Sequence, residues 1–166
     1  GRLSEKSMRY AIETIQLFVR LCKTKRVDHL ITVATAAARQ ASNRKVFMDR
    51  IKQETNLDFK VLSGEEEAYY GYLGTVNTMP QTSGLMADLG GGSLKLVSFV
   101  DRMMENSHHL PFGSVTLANH YKTMDRPDPK SLEELERDLT NTYRSLPWLQ
   151  GSHPIIGVGG TFRSLA

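Results

Sequence analysis

A run of three glycines between two apolar segments is the part of the sequence whose residue types best suit phosphate binding. Residues 88–93 read Asp-Leu-Gly-Gly-Gly-Ser. Glycines let the backbone approach a ligand closely, and successive N–H groups in such a turn form a concave anion site. Asp88 would repel phosphate directly, but it can hold Mg²⁺, which then neutralises the phosphate charge. An ordinary hairpin turn is the competing interpretation, although a two-residue turn rarely needs three glycines.

A second glycine-rich stretch, Gly-Val-Gly-Gly-Thr at 157–161, follows an apolar strand and precedes a predicted helix. Phosphate groups bind in this arrangement because free N–H groups and the helix dipole favour an anion at a helix N-terminus. Loops of this kind are common in α/β proteins. Together with 88–93, however, the stretch predicts two phosphate-binding loops in one chain.

Two charged stretches complete the candidate site. Ser-Gly-Glu-Glu-Glu-Ala at 63–68 places three carboxylates in the first turn of a predicted helix, where they interact favourably with the helix dipole. One of them could also act as a general base that orients a water toward a phosphate. Arg39 follows a predicted strand at 30–35, and it could either bind phosphate oxygens in bidentate fashion or form a surface salt bridge.

The elements that position these residues alternate between helix and strand. Apolar residues at three- and four-residue steps predict the helices, with Ser42 as one N-cap and Ser63 and Glu66 as a capping box. A β-branched run at 30–35 and other short segments bounded by turn residues predict the strands. Helices are predicted at 4–23, after Ser42, from Ser63 to about Leu73, at 115–124 and at 132–145, and strands at 30–35, 59–62, 85–89, 94–100, 105–110 and 155–158. Up to about Leu73 this alternation predicts an α/β architecture with a largely parallel core. After residue 84 the pattern changes to three successive strands with tight connections. The polar stretch 77–84 is predicted to separate a first lobe, 1–78, from a second lobe, 79–166.

Composition excludes several classes of protein. The chain has 166 residues, of which 40% are hydrophobic and 23% charged, and its net charge is +3. These values are typical of a globular protein. No apolar run approaches the roughly 20 residues that a membrane span needs. Cys22 is the only cysteine, which excludes a disulfide within the chain and favours a reducing, cytoplasmic compartment. No basic patch is interleaved with aromatic residues, so no nucleic-acid partner is expected.

Five stretches occur in a characteristic order. They read A-T-A-A-A-R-Q-A-S-N at 34–43, S-G-E-E-E-A at 63–68, D-L-G-G-G-S at 88–93, L-P-F-G-S-V at 110–115 and G-V-G-G-T at 157–161. Their order and spacing resemble the exopolyphosphatase/guanosine pentaphosphate phosphatase family over essentially the whole chain. The resemblance implies the actin/Hsp70/sugar kinase-like fold with two ribonuclease H-like lobes. It also implies Mg²⁺-dependent hydrolysis of the terminal phosphate of inorganic polyphosphate or of guanosine pentaphosphate, and it allows a homodimer.

The resemblance also assigns roles to individual residues. It makes Glu67 the catalytic carboxylate, and Asp88 stays the candidate ligand of the metal. The phosphate-binding residues that it implies are Arg39, Gly90, Gly91, Gly92, Ser93, Gly159, Gly160 and Thr161.

Two departures from the family pattern bear on function. The family's opening strand, with its D-x-G-S-N-S loop, and the C-terminal part of its second lobe are absent, so this chain alone is expected to have little or no activity. Lys95 stands where the family usually has the glutamate of G-G-G-S-x-E-L. This change removes a metal ligand and adds a charge that repels Mg²⁺ and attracts phosphate.

Three functions therefore stay open. The first is the hydrolase. The second is a protein that binds polyphosphate or guanosine tetra- or pentaphosphate without cleaving it. The third is a kinase or chaperone-like ATPase on the same fold, which the acidic stretch 65–67 and the stretch around Arg39 disfavour.

Overall fold

A computed structural model describes residues 1–121, 128–151 and 154–165. The chain forms two compact units, Gly1–Ser63 and Gly64–Ala166. The boundary that the sequence predicts between residues 78 and 79 concerns the lobes of the family fold, and it stays a prediction.

The first unit is built on a long amphipathic helix, α1 (Glu5–Thr24). Ser4 caps it, because its hydroxyl oxygen accepts a hydrogen bond from the Ser7 N–H at 3.0 Å. The buried face of α1 contributes Met8 and Ile12 to the core. The predicted helix at 4–23 is confirmed to within one residue at each end.

The strand predicted at 30–35 is much shorter than expected. Only β1 (Val33–Ala34) is formed, and it pairs in parallel with β2 (Lys60–Val61). Ile31 is 88% exposed, so the expectation of a buried strand was wrong for this residue. In this two-stranded sheet β1 pairs with β2, which is also only two residues long. A strand extends only as far as its backbone groups find partners on the neighbouring strand, so β1 ends where its pairing with β2 ends.

Two further helices complete this unit, α2 (Ala36–Arg39) and α3 (Arg44–Thr55). The prediction that Ser42 caps α3 was wrong, because the N-cap is Asn43. The Asn43 amide instead pairs with the backbone of Leu3, accepting from its N–H at 2.9 Å and donating to its carbonyl at 3.0 Å. The core of the unit consists of buried residues from all three helices: Met8, Ile12, Ala38, Phe47 and Ile51.

The second unit contains a four-stranded sheet. Its strands are β3 (Gly84–Leu89), β4 (Leu94–Val100), β5 (Met103–Leu110) and β6 (Ile155–Val158). The strand order is β5-β4-β3-β6, with antiparallel pairing throughout β3, β4 and β5 and parallel pairing of β3 with β6. The four strands predicted in this part of the sequence are confirmed.

In the part of the second unit that the structure describes, five helical segments accompany the sheet. They are α4 (Gly64–Thr78), α5 (Ser114–His120), α6 (Pro129–Arg144), a 3-10 turn (Pro147–Leu149) and α7 (Gly160–Arg163). The helix predicted at 115–124 begins one residue early, and its predicted end at Met124 lies outside the described residues. α6 begins three residues earlier than predicted, because Asp128 caps it and Pro129 fits its first turn.

The two faces of the sheet form separate cores. α4 covers one face of the sheet. The core between them is formed by Ala68, Tyr72 and Val76 of α4 and by Met86, Val97, Phe99 and Ile156 of the strands. The alternate strand residues face the opposite core, which contains Ala87, Leu96, Leu110 and Leu146, with Trp148 packed against them. α4 continues five residues beyond the predicted end at Leu73, because Thr75 and Val76 in its last turns are buried. Among the residues that the structure describes, no helix combines the length and apolar character required to cross a bilayer.

Candidate functional site

A buried lysine joins the two carboxylates that the sequence analysis singles out. The Nζ of Lys95 lies 2.5 Å from Oε1 of Glu67 and 3.2 Å from Oδ2 of Asp88. The side chain of Lys95 is 3% exposed, that of Glu67 15% and that of Asp88 22%. A buried ammonium needs such partners, because an unpaired buried charge costs several kcal/mol. The three side chains therefore form one ion-paired cluster.

The hairpin register brings Lys95 beside Asp88. Leu89 pairs with Leu94 across the turn, so that Asp88 and Lys95 are direct cross-strand partners whose side chains share one face. Val97 and Met86 lie on that same face, under α4. The signal for this contact was present in the sequence, because a four-residue turn at 90–93 between antiparallel strands sets this pairing. The contact was not predicted, because the family resemblance presents Lys95 only as a substitute for a glutamate.

The start of α4 is held close to β5, and this contact positions Glu67. A Cβ on Gly64 would collide with the ring of His109, at 2.5 Å from Nδ1. His109 is itself the cross-strand partner of Lys95. Ala68, the residue after Glu67, is fully buried in the core. Glycine at 64 and alanine at 68 thus allow the first turn of α4 to approach the sheet at the level of Lys95.

The glycine loop of residues 90–93 connects β3 to β4 and is braced by the start of α5. The carbonyl oxygen of Gly90 accepts from the Ser114 N–H at 2.9 Å, and that of Gly91 accepts from the Val115 N–H at 3.0 Å. A Cβ on Gly113 would lie 2.6 Å from the Ser93 backbone nitrogen. The L-P-F-G-S-V motif at 110–115, to which the sequence analysis gave no role, therefore supports the loop.

The loop uses part of its own hydrogen-bonding capacity internally. The N–H of Gly90 donates to the Ser93 carbonyl oxygen at 3.0 Å, so this donor is directed into the turn. The Ser93 side chain is only 1% exposed, and its Oγ is buried without a hydrogen-bond partner among the described atoms. Buried hydroxyls are normally paired. The unpaired Ser93 Oγ is a donor that an anion bound at the loop could use.

The second glycine loop lies next to the first. β6 runs parallel to β3, with Val158 opposite Asp88, so that residues 159–161 emerge at the same edge of the sheet as the loop 90–93. Ligands commonly bind at such carboxyl edges. Gly159 has φ of +100°, and a Cβ there would lie 3.2 Å from Oδ1 of Asp88. Gly160 and Thr161 begin α7 directly after it.

Arg39 belongs to the other compact unit, where it is the last residue of α2. Its Nη1 donates to the Leu62 carbonyl oxygen at 2.8 Å. This bond attaches α2 to the chain segment that follows β2. A contact between Arg39 and phosphate stays a prediction.

The described residues do not fit the Mg²⁺ that the sequence analysis expects at Asp88. Proteins usually hold Mg²⁺ with one or two carboxylates together with waters and substrate phosphates, at about 2.0–2.1 Å. Within 1–121, 128–151 and 154–165, no group of three or more His, Cys, Asp or Glu side chains is arranged to hold a metal ion. Asp88 and Glu67 instead share the ammonium of Lys95. A metal ion and this ammonium cannot occupy the same place, so the ion enters none of the steps proposed below.

Comparison with known proteins identifies the family of the chain. The model of the Ppx/GppA phosphatase family matches residues 1–164. The chain belongs to the Ppx/GppA phosphatase family. Exopolyphosphatase 1 of Mycobacterium tuberculosis is 29% identical to it over 172 residues. The guanosine-5'-triphosphate,3'-diphosphate pyrophosphatase of Aeromonas hydrophila is 28% identical over 174 residues.

Solved structures of Ppx/GppA proteins have the same fold. An exopolyphosphatase from Cytophaga hutchinsonii matches 100% of this chain with a TM-score of 0.88 at 26% identity. The Aquifex aeolicus Ppx/GppA family member matches 99% of it with a TM-score of 0.77 at 28% identity. These likenesses confirm the α/β fold of the actin/Hsp70/sugar kinase class that the sequence predicts.

The chain spans between about a third and a little over half of the length of the proteins it matches. It covers 50% of the mycobacterial exopolyphosphatase and 34% of the Aeromonas pyrophosphatase. It covers 55% of the Cytophaga structure and 54% of the Aquifex structure.

Proposed function

We propose that the full-length protein hydrolyses the terminal phosphate of inorganic polyphosphate or of guanosine pentaphosphate. The observation that carries this proposal is the meeting of Glu67, Asp88 and two glycine loops at one edge of the second unit's sheet. Membership of the Ppx/GppA phosphatase family supports a phosphatase chemistry for this site. The relatives bear names of both kinds, exopolyphosphatase and guanosine-phosphate pyrophosphatase, so both substrates belong in the test.

In the proposed reaction, Glu67 is the general base. Its carboxylate accepts a proton from a water whose oxygen attacks the terminal phosphorus. The bond from that phosphorus to the bridging oxygen breaks, and the bridging oxygen stays on the shortened phosphate chain. Backbone N–H groups of the two glycine loops and the Ser93 hydroxyl bind the transferred group and stabilise the charge that develops on it. Lys95 orients Glu67 by holding its Oε1 at 2.5 Å.

The test is a phosphate-release assay on the full-length protein, with polyphosphate and guanosine pentaphosphate in separate arms. Glu67→Gln keeps the shape of the side chain but removes its basicity, and it is expected to lower turnover by about 100-fold or more. The matched control is Glu65→Gln, which removes an exposed carboxylate from the same helical turn and should leave turnover unchanged. Full turnover by Glu67→Gln contradicts the assignment of the base.

A second function is favoured by one observation, the ion pair that ties Glu67 to Lys95. A carboxylate held by an ammonium has less freedom to accept a proton from water. In this alternative the protein binds polyphosphate or guanosine tetra- or pentaphosphate and does not cleave it. Lys95→Glu should then raise the hydrolysis rate. A wild-type protein that already hydrolyses as fast as this variant contradicts the binding-only alternative.

Two other sequence-based expectations stay proposals for the full-length protein. A cytoplasmic location follows from the single cysteine, Cys22, which the structure describes as a free thiol. A homodimer follows from the family resemblance alone. Size-exclusion chromatography with light scattering on the full-length protein tests the homodimer directly.

A further inference from the structure

The position of the Lys95 ammonium is unusual for a lysine in a folded protein. Lysine side chains are almost never fully buried unless they are paired, and this one is 3% exposed. Its Nζ lies between a carboxylate from α4 and a carboxylate from β3. Two carboxylates from different elements that converge on one cation is the arrangement by which proteins usually hold a divalent metal.

The same ammonium also lies next to the glycine loop. A Cβ placed on Gly90 would be 3.7 Å from the Nζ of Lys95 and 3.4 Å from the Ser93 carbonyl oxygen. With glycine at this position, no side-chain atom of residue 90 separates the loop from the ammonium. The ammonium forms ion pairs with Glu67 and Asp88, and it has three N–H donors. One of these donors can be directed toward an acceptor at the loop.

Charge decides what the cluster can bind. An ammonium group cannot coordinate a metal ion, because it has no acceptor lone pair. Its positive charge also repels a metal cation. A phosphate oxygen is an acceptor with negative charge, and it gains a charge-assisted hydrogen bond from an ammonium. The unpaired Ser93 Oγ, buried at the end of the same loop, adds a second donor.

We propose that the Lys95 ammonium takes the place of a divalent cation between Glu67 and Asp88, so that the site binds an inorganic oligophosphate without a metal ion. The proposal rests on the proposed function only in that the glycine loops bind phosphate. The ammonium holds both carboxylates in position and contacts the bound phosphate with its remaining donor. Lys95 is thus a positioning residue for Glu67 and a binding residue for the ligand.

The first test measures binding of inorganic tripolyphosphate to the wild-type full-length protein by calorimetry, once with excess EDTA and once with Mg²⁺. The dissociation constants measured with EDTA and with Mg²⁺ are expected to agree within about threefold. Binding that is detected only with Mg²⁺, or that weakens more than about tenfold in EDTA, overturns the proposal.

The second test uses Mn²⁺ alone as the probe, followed by its electron paramagnetic resonance signal. The wild-type protein is expected to leave Mn²⁺ free at this site. Lys95→Gln removes the charge and leaves Glu67 and Asp88 for a metal, so this variant should bind Mn²⁺, and adding Asp88→Asn to it should abolish that binding. The matched control is Lys130→Gln, at an exposed lysine on α6, which should bind no Mn²⁺. Binding of Mn²⁺ by the wild-type protein that Asp88→Asn abolishes overturns the proposal.

Folding of the variants is checked by circular dichroism, since Lys95→Gln removes the ammonium that Glu67 and Asp88 share. If the variant does not fold, the EDTA experiment on the wild-type protein still decides the question. The outcomes also separate this proposal from the hydrolase. Tripolyphosphate binding in EDTA without any phosphate release supports the metal-free site and contradicts the hydrolase. If tripolyphosphate is hydrolysed but binds only with Mg²⁺, the hydrolase is supported and the metal-free site is contradicted.

Discussion

Asp88 and Lys95 are direct cross-strand partners on β3 and β4, and their charged groups lie 3.2 Å apart on the face of the sheet that α4 covers. Because Asp88 precedes the glycine loop and Lys95 follows it, their ion pair connects the two strands on either side of the loop. The same lysine reaches Glu67 on α4, so a single side chain links the helix that carries the proposed base to the hairpin that carries the loop.

The first prediction concerns the stability that this cluster provides. Lys95→Met keeps the volume of the side chain but removes the ammonium that two partly buried carboxylates share, and breaking such a pair typically costs about 3–5 kcal/mol. The midpoint of urea unfolding is therefore expected to fall strongly, and Lys130→Met at an exposed position should leave it almost unchanged. Equal midpoints for the two variants would show that the Lys95 pairs add no net stability.

The second prediction concerns Gly113, where the start of α5 meets the glycine loop. Alanine there would place its Cβ 2.6 Å from the Ser93 nitrogen and 2.7 Å from the Gly91 carbonyl carbon. Both neighbours are backbone atoms, so Gly113→Ala should destabilise the protein by about 1–3 kcal/mol. Gly74→Ala is the control, because a Cβ at this position in α4 meets nothing within 4 Å.

Helical Gly74→Ala should even stabilise the protein, by about 0.5–1 kcal/mol, since alanine loses less backbone entropy in a helix. Thermal unfolding of the two variants side by side compares the two sites directly. The contact between α5 and the loop is unimportant if Gly113→Ala unfolds at the wild-type temperature.

The third prediction concerns Gly159, between β6 and α7. Its φ of +100° is a conformation that residues with a Cβ rarely adopt, and its neighbour is Oδ1 of Asp88 at 3.2 Å from the added Cβ. Gly159→Ala should cost about 1–2 kcal/mol of stability from backbone strain. It should also weaken tripolyphosphate binding by displacing Asp88. A loss of stability without any change in tripolyphosphate affinity would separate Asp88 from the binding site.

The fourth prediction concerns the N-cap of α6 and its dependence on pH. Hydrogen bonds from the Ser131 side chain and N–H lower the pKa of Asp128 below its ordinary value. A lowered folded-state pKa means that the stabilisation is present above the pKa of the unfolded chain and is lost as pH falls through the folded value. Wild type should therefore melt at a higher temperature than Asp128→Asn at neutral pH, and the gap should close in acid. A gap that is independent of pH contradicts this origin.

Local patterns in the sequence were sufficient for most of the elements. Ser4 and the apolar steps after it predict α1, and the strands β3 and β4 follow from the turn residues at 91–93 between two short apolar runs. The sequence was insufficient where partners from elsewhere in the chain set the limits. The strand at 30–35 is cut short because its partner β2 has only two residues, and Asn43 replaces Ser42 as the cap while its amide pairs with Leu3.

The sequence by itself determined the family motifs, the glycine loops and the identity of Glu67 and Asp88 as candidates, because these depend on residue types and short spacings. Only the tertiary structure decided what Lys95 does. Its charge was expected to act on Mg²⁺ and phosphate, and it instead bonds Glu67 and Asp88. The Asp88 contact follows from hairpin register, but the Glu67 contact exists only because Gly64 and Ala68 let α4 pack closely on the sheet. Such a contact between distant segments comes from packing, which short-range sequence patterns do not encode.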